Sequence, residues 1–283
     1  MRSDQLSYPP AADIINDIMK IIRFKTSFTP PQYGWIDQNR VGMIHGNPYG
    51  ESRRFEPEFD LSQVELLVPC EPSKLIAVGQ NYAAHANEFN NDIPAYPLIF
   101  LKPTSALIAA GQPIILPPQS ARVDHEAELA VVIKKSSRWL TIDEAGASIF
   151  GFTIANDVTA RDLQQQDGQW TRAKGFDTFC PLGPWIETEF TATDAMISCH
   201  VNNSLRQMGS TRDMIFDIYQ LVAYISTVMT LNPGDVILTG TPAGVSPLED
   251  GDTVSIHIEG IGSLINPVIA QNRTQPSRKI NLD

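Results

Sequence analysis

Val123-Asp124-His125-Glu126-Ala127-Glu128-Leu129-Ala130-Val131-Val132-Ile133 is the stretch that decides the fold. Leu129 to Ile133 is a continuous apolar run of the kind buried on both faces of a sheet. In a strand, side chains at i and i+2 share a face, so Glu126 and Glu128 aim at one point. Further along, the strand-like run Phe150–Ala155 delivers Asp157 at its end. Hard oxygen ligands converging in this way suit a divalent cation such as Mg²⁺ or Mn²⁺. Without one, their mutual repulsion is costly. Spacing alone equally allows both glutamates to face solvent on a half-buried strand. The apolar run favours the cation, being an odd place to begin with acids unless something neutralises them.

The chain of 283 residues is long enough for one large domain with a small appendage. Its 19% charged and 42% hydrophobic residues are ordinary for a globular enzyme. A net charge of −11 argues against a nucleic-acid partner, which needs a basic surface. No stretch approaches the roughly 18 apolar residues of a membrane span, so no membrane partner is expected. Cys70, Cys180 and Cys199 show no CxxC spacing and read as buried free thiols in a reducing cytoplasm. The polar start and Pro9-Pro10 lack the apolar core of a signal peptide, which gives a cytoplasmic expectation.

Residues 1–18 read as an extension, and residues 19–70 as a small β-rich N-terminal domain with strands at Lys20–Phe24 and Arg40–His45. Pro69-Cys70-Glu71-Pro72 is the linker, and residues 71–283 form the main unit. Strands are expected at Lys74–Val78, Leu98–Leu101, Ile114–Leu116, Glu128–Ile133, Phe150–Ala155, Asp235–Thr239 and Thr253–Glu259. Helices are expected at Asn81–Phe89, stopped by Asn90–Pro94, at Asp143–Ile149, and at Asp213–Thr230, where apolar residues recur near the helical period. The pattern is α+β and predominantly β, since a doubly wound sheet needs regular βαβ alternation.

Six ordered blocks carry a resemblance: Gly79-Gln80-Asn81-Tyr82-Ala83-Ala84-His85, Phe100-Leu101-Lys102-Pro103, Asp124 to Leu129, Asn156-Asp157-Val158-Thr159-Ala160-Arg161-Asp162, Lys174-Gly175-Phe176-Asp177-Thr178-Phe179, and Thr239-Gly240-Thr241-Pro242. From about residue 74 to 270 the chain resembles the fumarylacetoacetate hydrolase family. The resemblance implies a mixed β-sandwich roll with a small N-terminal domain, usually a homodimer, and a Mg²⁺ or Mn²⁺ site at Glu126, Glu128 and Asp157. Three carboxylates leave roughly three places of an octahedral ion open, two of which a 2-oxo acid would fill.

His85 and Glu88 stand one helical turn apart, on one face. A carboxylate on one ring nitrogen would fix the imidazole so that the other takes a proton from water. Taken alone, such a pair is more often surface decoration; the resemblance implies the water-activating dyad of the family's hydrolases. It also implies that Arg161, Gln164 and Thr241 contact substrate and that Lys174 is catalytic, placed where charge develops in the transition state. The bland reading of Arg161 is a salt bridge with Asp162 or Asp167, and Lys102 is expected to be structural. Thr239–Val245 lacks the GxxxxGK[ST] pattern, so it is a tight turn rather than a phosphate loop. Gln80 stands where several members place a basic residue, so no charged contact to a distal carboxylate is expected there.

The expected function is hydrolysis of the C–C bond of an acylpyruvate or related 2,4-dioxo acid, with a pyruvate enolate released beside the cation and Lys174. The alternatives are oxaloacetate decarboxylation or tautomerisation, and isomerisation or decarboxylation of a dienoic diacid. A non-catalytic binding protein of this fold is disfavoured by the intact set Glu126, Glu128, Asp157, Lys174 and His85.

Overall fold

The computed structural model describes residues 19–88 and 93–271. The extension at 1–18, the last residue of the first expected helix with the first three residues of its expected stop (89–92), and the tail after Gln271 lie outside the described residues. Among them, thirteen strands form one mixed sheet and five form a second. The main path of the large sheet runs from Ser52–Arg54 through Arg40–Gly46, Gln32–Asp37, Lys20–Lys25, Cys180–Glu187, Ile149–Asn156, Ala127–Ile133, Val236–Leu238 and Leu75–Gly79 to Leu98–Lys102.

Every residue of Ala127–Ile133 is buried. Leu129, Val131 and Ile133 enter one hydrophobic cluster, which they share with Ile197, Ile256 and Leu264 of the second sheet and with Leu221 and Ile225 of the Ile218–Val228 helix. Ala130 and Val132 enter another, with Leu75, Leu182 and Val236. The period-two alternation thus feeds two cores, which is why the run is apolar throughout. The predominantly β, α+β class and the two-sheet roll are observed.

The strands of residues 19–70 continue the same sheet. Lys20 pairs Glu187 and Ile21 pairs Ile186 across the junction. Ile21 packs into the shared core while its neighbour Ile22 joins Phe24, Ile36 and Val41 in a smaller one.

Several expectations need correction. Gln32–Asp37 is a further strand that starts directly after Pro30-Pro31, where the sequence reads as a break; Gly34 lies opposite Ile22, and a Cβ there would sit 2.5 Å from the Phe24 ring. Met196–Val201 and Ser204–Ser210 form a hairpin that the sequence reading passed over. Its two-residue turn is Asn202-Asn203, both in the left-handed region at φ 50° and 67°, which asparagine tolerates. Asp143–Ile149 resolves into the short helix Ile142–Ala145 and a 3₁₀ turn, with Ile149 opening the next strand. The helix expected from Asp213 begins at Ile218: Asp217 caps it through a capping box with Gln220, and the Phe216 N–H is taken by Asn81 Oδ1 at 2.8 Å. The three cysteines are buried and free. No helix among the described residues is long and apolar enough to cross a membrane.

Candidate active site

The central ladder assembles the acids. Ala127 pairs Asn156 and Glu128 pairs Ala155, and the ladder runs one step further as the Asp157 N–H donates to Glu126 O at 2.9 Å. Glu126 lies one residue before the strand, its own N–H held by Asn156 Oδ1 at 3.0 Å. Antiparallel register therefore places Asp157 beside both glutamates, and ligand oxygens of all three lie within 4.8 Å of one another.

Three buried cations partner these acids. Lys174 Nζ donates to Glu126 at 2.8 Å and to Asp157 at 2.6 Å, and Lys102 Nζ donates to the other Asp157 oxygen at 2.5 Å. Arg161 Nη2 donates to Glu126 at 2.7 Å, Nε to Asp124 at 3.0 Å and Nη1 to Gln164 Oε1 at 2.8 Å. Arg161 is thus not bridged to Asp162, which accepts from Ser120 and Ala121, or to Asp167, which pairs Arg172. Lys102, read from sequence as structural, sits directly on a proposed ligand.

Burial would raise Glu126, but Lys174 and Arg161 hold it well below the usual carboxylate range. Glu128 goes the other way: burial first, then the charges of Asp157 and Glu126, push it well above. One of its oxygens accepts the Gly240 N–H at 2.7 Å. Gly240 needs to be glycine, because its φ is +96° and a Cβ would meet Asn81 Cβ at 2.7 Å. For Lys174, burial lowers the ammonium while Asp157 and Glu126 raise it, and the acids prevail. Three hard oxygens, one of them on the buried Glu128 carboxylate, which has no ion-pair partner among the described residues, fit a divalent cation.

On the short helix Ala83–Glu88, His85 Nδ1 lies 3.1 Å from Glu88 Oε2, so the one-turn spacing brings the two into contact. Both Glu88 oxygens accept the Gly244 N–H at 3.3 Å. Asn81 anchors the start of this segment, donating to Thr239 O at 2.8 Å and to Phe216 O at 3.0 Å.

A cavity of about 300 Å³ brings together His85, Glu126, Glu128, Asp157, Arg161, Gln164, Lys174 and Thr241. Glu88 supports His85 from outside the lining. The Thr241 hydroxyl donates to Ala127 O at 2.8 Å and accepts Gln207 Nε2 at 2.7 Å. Gln207 also accepts the Ala127 N–H at 3.0 Å, so one buried side chain from the second sheet fixes the backbone between Glu126 and Glu128. No spacing in the sequence pointed to Gln207, or to Phe100, Gln165 and Trp170, which complete the wall.

Residues 74–269 match the family described as Fumarylacetoacetate (FAA) hydrolase C-terminal, and residues 19–69 match Rv2993c-like, N-terminal. The mitochondrial oxaloacetate tautomerase Fahd2a of Rattus norvegicus is 44% identical over 225 residues, covering 75% of this chain and 72% of that protein. The crystal structure of 2-hydroxyhepta-2,4-diene-1,7-dioate isomerase from Mycobacterium marinum superposes with TM-score 0.84 at 43% identity, covering 90% of this chain and 100% of that one. Maleylpyruvate hydrolase from Sphingobium sp. SYK-6, solved with manganese(II) and pyruvate, gives TM-score 0.74 at 31% identity over 90% of this chain and 100% of that one.

Proposed function

This chain belongs to the fumarylacetoacetate hydrolase family, and we propose that within it the protein is a divalent-cation-dependent enzyme that hydrolyses the C–C bond of acylpyruvates. The observation that carries this reading is one cavity with the acids Glu126, Glu128 and Asp157 and the Glu88-supported imidazole of His85. Mg²⁺ or Mn²⁺ held by the three acids would supply Lewis-acid polarisation of the 2-oxo acid end. Glu88 orients His85 through Nδ1, and Nε2 takes a proton from water as the water oxygen attacks the distal carbonyl carbon. As the C–C bond breaks, its electron pair moves to the pyruvoyl side, where the Lys174 ammonium stabilises the negative charge that develops. His85 then returns its proton to the pyruvoyl carbon, giving a carboxylic acid and pyruvate. Arg161 and Lys102 hold Glu126 and Asp157 in place, and Gln164 and Thr241 line the substrate's path.

A second reading is keto–enol tautomerisation of oxaloacetate, favoured by the 44% identity with Fahd2a. It uses the same acids and Lys174 but no attacking water. Cation titration followed by a substrate panel separates the two: the hydrolase reading expects cleavage of acetylpyruvate with Mg²⁺ or Mn²⁺, whereas oxaloacetate turnover without any acylpyruvate cleavage supports the second.

The homodimer is part of the same proposal. Leu98–Lys102 is an edge of the large sheet, with Leu98 and Leu101 exposed and Tyr96 and Ile93 exposed beside it. Edges of that kind are ordinarily covered. Sedimentation at micromolar concentration should show two chains; a monomer removes the claim.

A further inference from the structure

The cavity's lining divides by depth. Its floor, Glu126, Glu128, Asp157, Arg161 and Lys174, is charged and buried. Among the described residues its rim, the partly or fully exposed Gln80, Phe100, Gln164, Gln165 and Trp170, carries no charge. The two rings meet edge to face, with centroids 5.0 Å apart. Trp170 lies over Gly79, where a Cβ would come within 2.7 Å of the indole, so the two rings form an apolar corner that reaches up to Gln80.

The floor's cations are already engaged with protein groups, the Lys174 ammonium also lying 5.2 Å from the centroid of the Phe100 ring. Each of the three Arg161 nitrogens donates to a protein oxygen, two of them on carboxylates, and Lys174 spans Glu126 and Asp157. Gln164 presents its oxygen to Arg161, which turns its NH₂ group away from the guanidinium. A second carboxylate on the outer half of a substrate would therefore meet amides and aromatic rings. It would lose much of its hydration there without gaining an ion pair. An uncharged flat group would pack on the Trp170 ring against the corner it makes with Phe100 and accept amide N–H donors through a carbonyl oxygen.

We infer that the distal half of the substrate is an uncharged, flat acyl group, aromatic or conjugated, seated on the Gln80–Phe100–Trp170 rim, and that diacids are selected against. This rests on the acylpyruvate reading and narrows it from a broad class of 2,4-dioxo acids to neutral aroyl- and alkenoylpyruvates.

The test compares two ligands that the hydrolase chemistry cannot cleave, 4-phenyl-2-oxobutanoate and its para-carboxylate. Their binding to the full chain is measured by calorimetry with Mn²⁺ present, so turnover is not needed. The neutral ligand should bind at least about tenfold more tightly. Gln80→Arg, which adds a cation at the rim, should narrow that ratio severalfold by strengthening binding of the para-carboxylate. Equal affinity, or tighter binding of the para-carboxylate by the unaltered protein, would overturn the inference, as would an unchanged ratio in Gln80→Arg. Failure of the underlying reading shows separately: 4-phenyl-2,4-dioxobutanoate, the hydrolysable counterpart, would then bind without being cleaved.

Discussion

The Glu126–Ile133 ladder and the Ala83–Glu88 helix face each other across one cavity, yet they are held very differently. The ladder pairs with strands on both sides, all of its strand residues are buried, and its acids are tied to Lys102, Lys174 and Arg161. The helix spans six residues, and outside it Glu88 is held by the single N–H of Gly244. So short a helix takes its stability from what it packs against rather than from its own hydrogen bonds. The geometry of the proposed cation site is thus set by the sheet, and that of the proposed base by a few bonds made by Asn81 and Glu88. Changes on the ladder should act on every reaction the cavity supports. Changes on the helix should act on the step that needs a base.

Glu128→Ala gives the largest expected effect, because it removes an oxygen ligand no neighbour replaces. Turnover should fall by at least about 10³ with the fold intact by circular dichroism. Wild-type turnover with metal present would show that the ladder is not the cation site. On the helix side, Glu88→Gln keeps shape and loses charge. Hydrolysis should drop roughly 10- to 100-fold, less than the loss of the base itself, with the affinity for Mn²⁺ unaltered by calorimetry. A matching loss of Mn²⁺ affinity would mean that the two regions are not separable.

Much of this contrast was legible in the sequence. The apolar run after Glu128 marked a strand covered on both faces. The i, i+2 spacing put Glu126 and Glu128 on one face, and the one-turn spacing put His85 beside Glu88, while their roles as ligands and dyad came from the family resemblance rather than from spacing. What escaped were partners supplied across the fold. Gln207 lies in a hairpin whose strands alternate without a strong apolar signal, and the ion pairs of Arg161 with Asp124 and Glu126 link segments far apart in sequence. Local propensity also extended the last helix to Asp213, because the Asn81 contact that holds Phe216 outside it is tertiary.

Gln207→Leu tests the ladder from behind. It leaves the Ala127 N–H without its acceptor and removes the donor to Thr241 and Pro242. Denaturant unfolding should register a loss of about 1–3 kcal/mol, with a smaller fall in Mn²⁺ affinity. An unchanged midpoint would show that the floor does not depend on the second sheet.

The smallest effect concerns pH. Glu128 is raised above its ordinary 4.5, chiefly by burial and then by Asp157 and Glu126. An acid raised in the folded state contributes its stability below the unfolded value and loses it as pH rises through the folded value. Without cation, the Tm of Glu128→Gln should therefore gain on the wild type by a few degrees as pH rises above the ordinary carboxylate range. A constant gap would mean that the Glu128 charge is already compensated by the lysines.

The most direct test of the division of labour is kcat of the wild type and His85→Ala for acetylpyruvate cleavage and for oxaloacetate turnover at saturating Mg²⁺. Water activation by His85 predicts a loss of roughly 10² to 10⁴ in cleavage and a much smaller loss with oxaloacetate. Equal losses on the two substrates would place His85 in a step they share and contradict its role as the base that activates water.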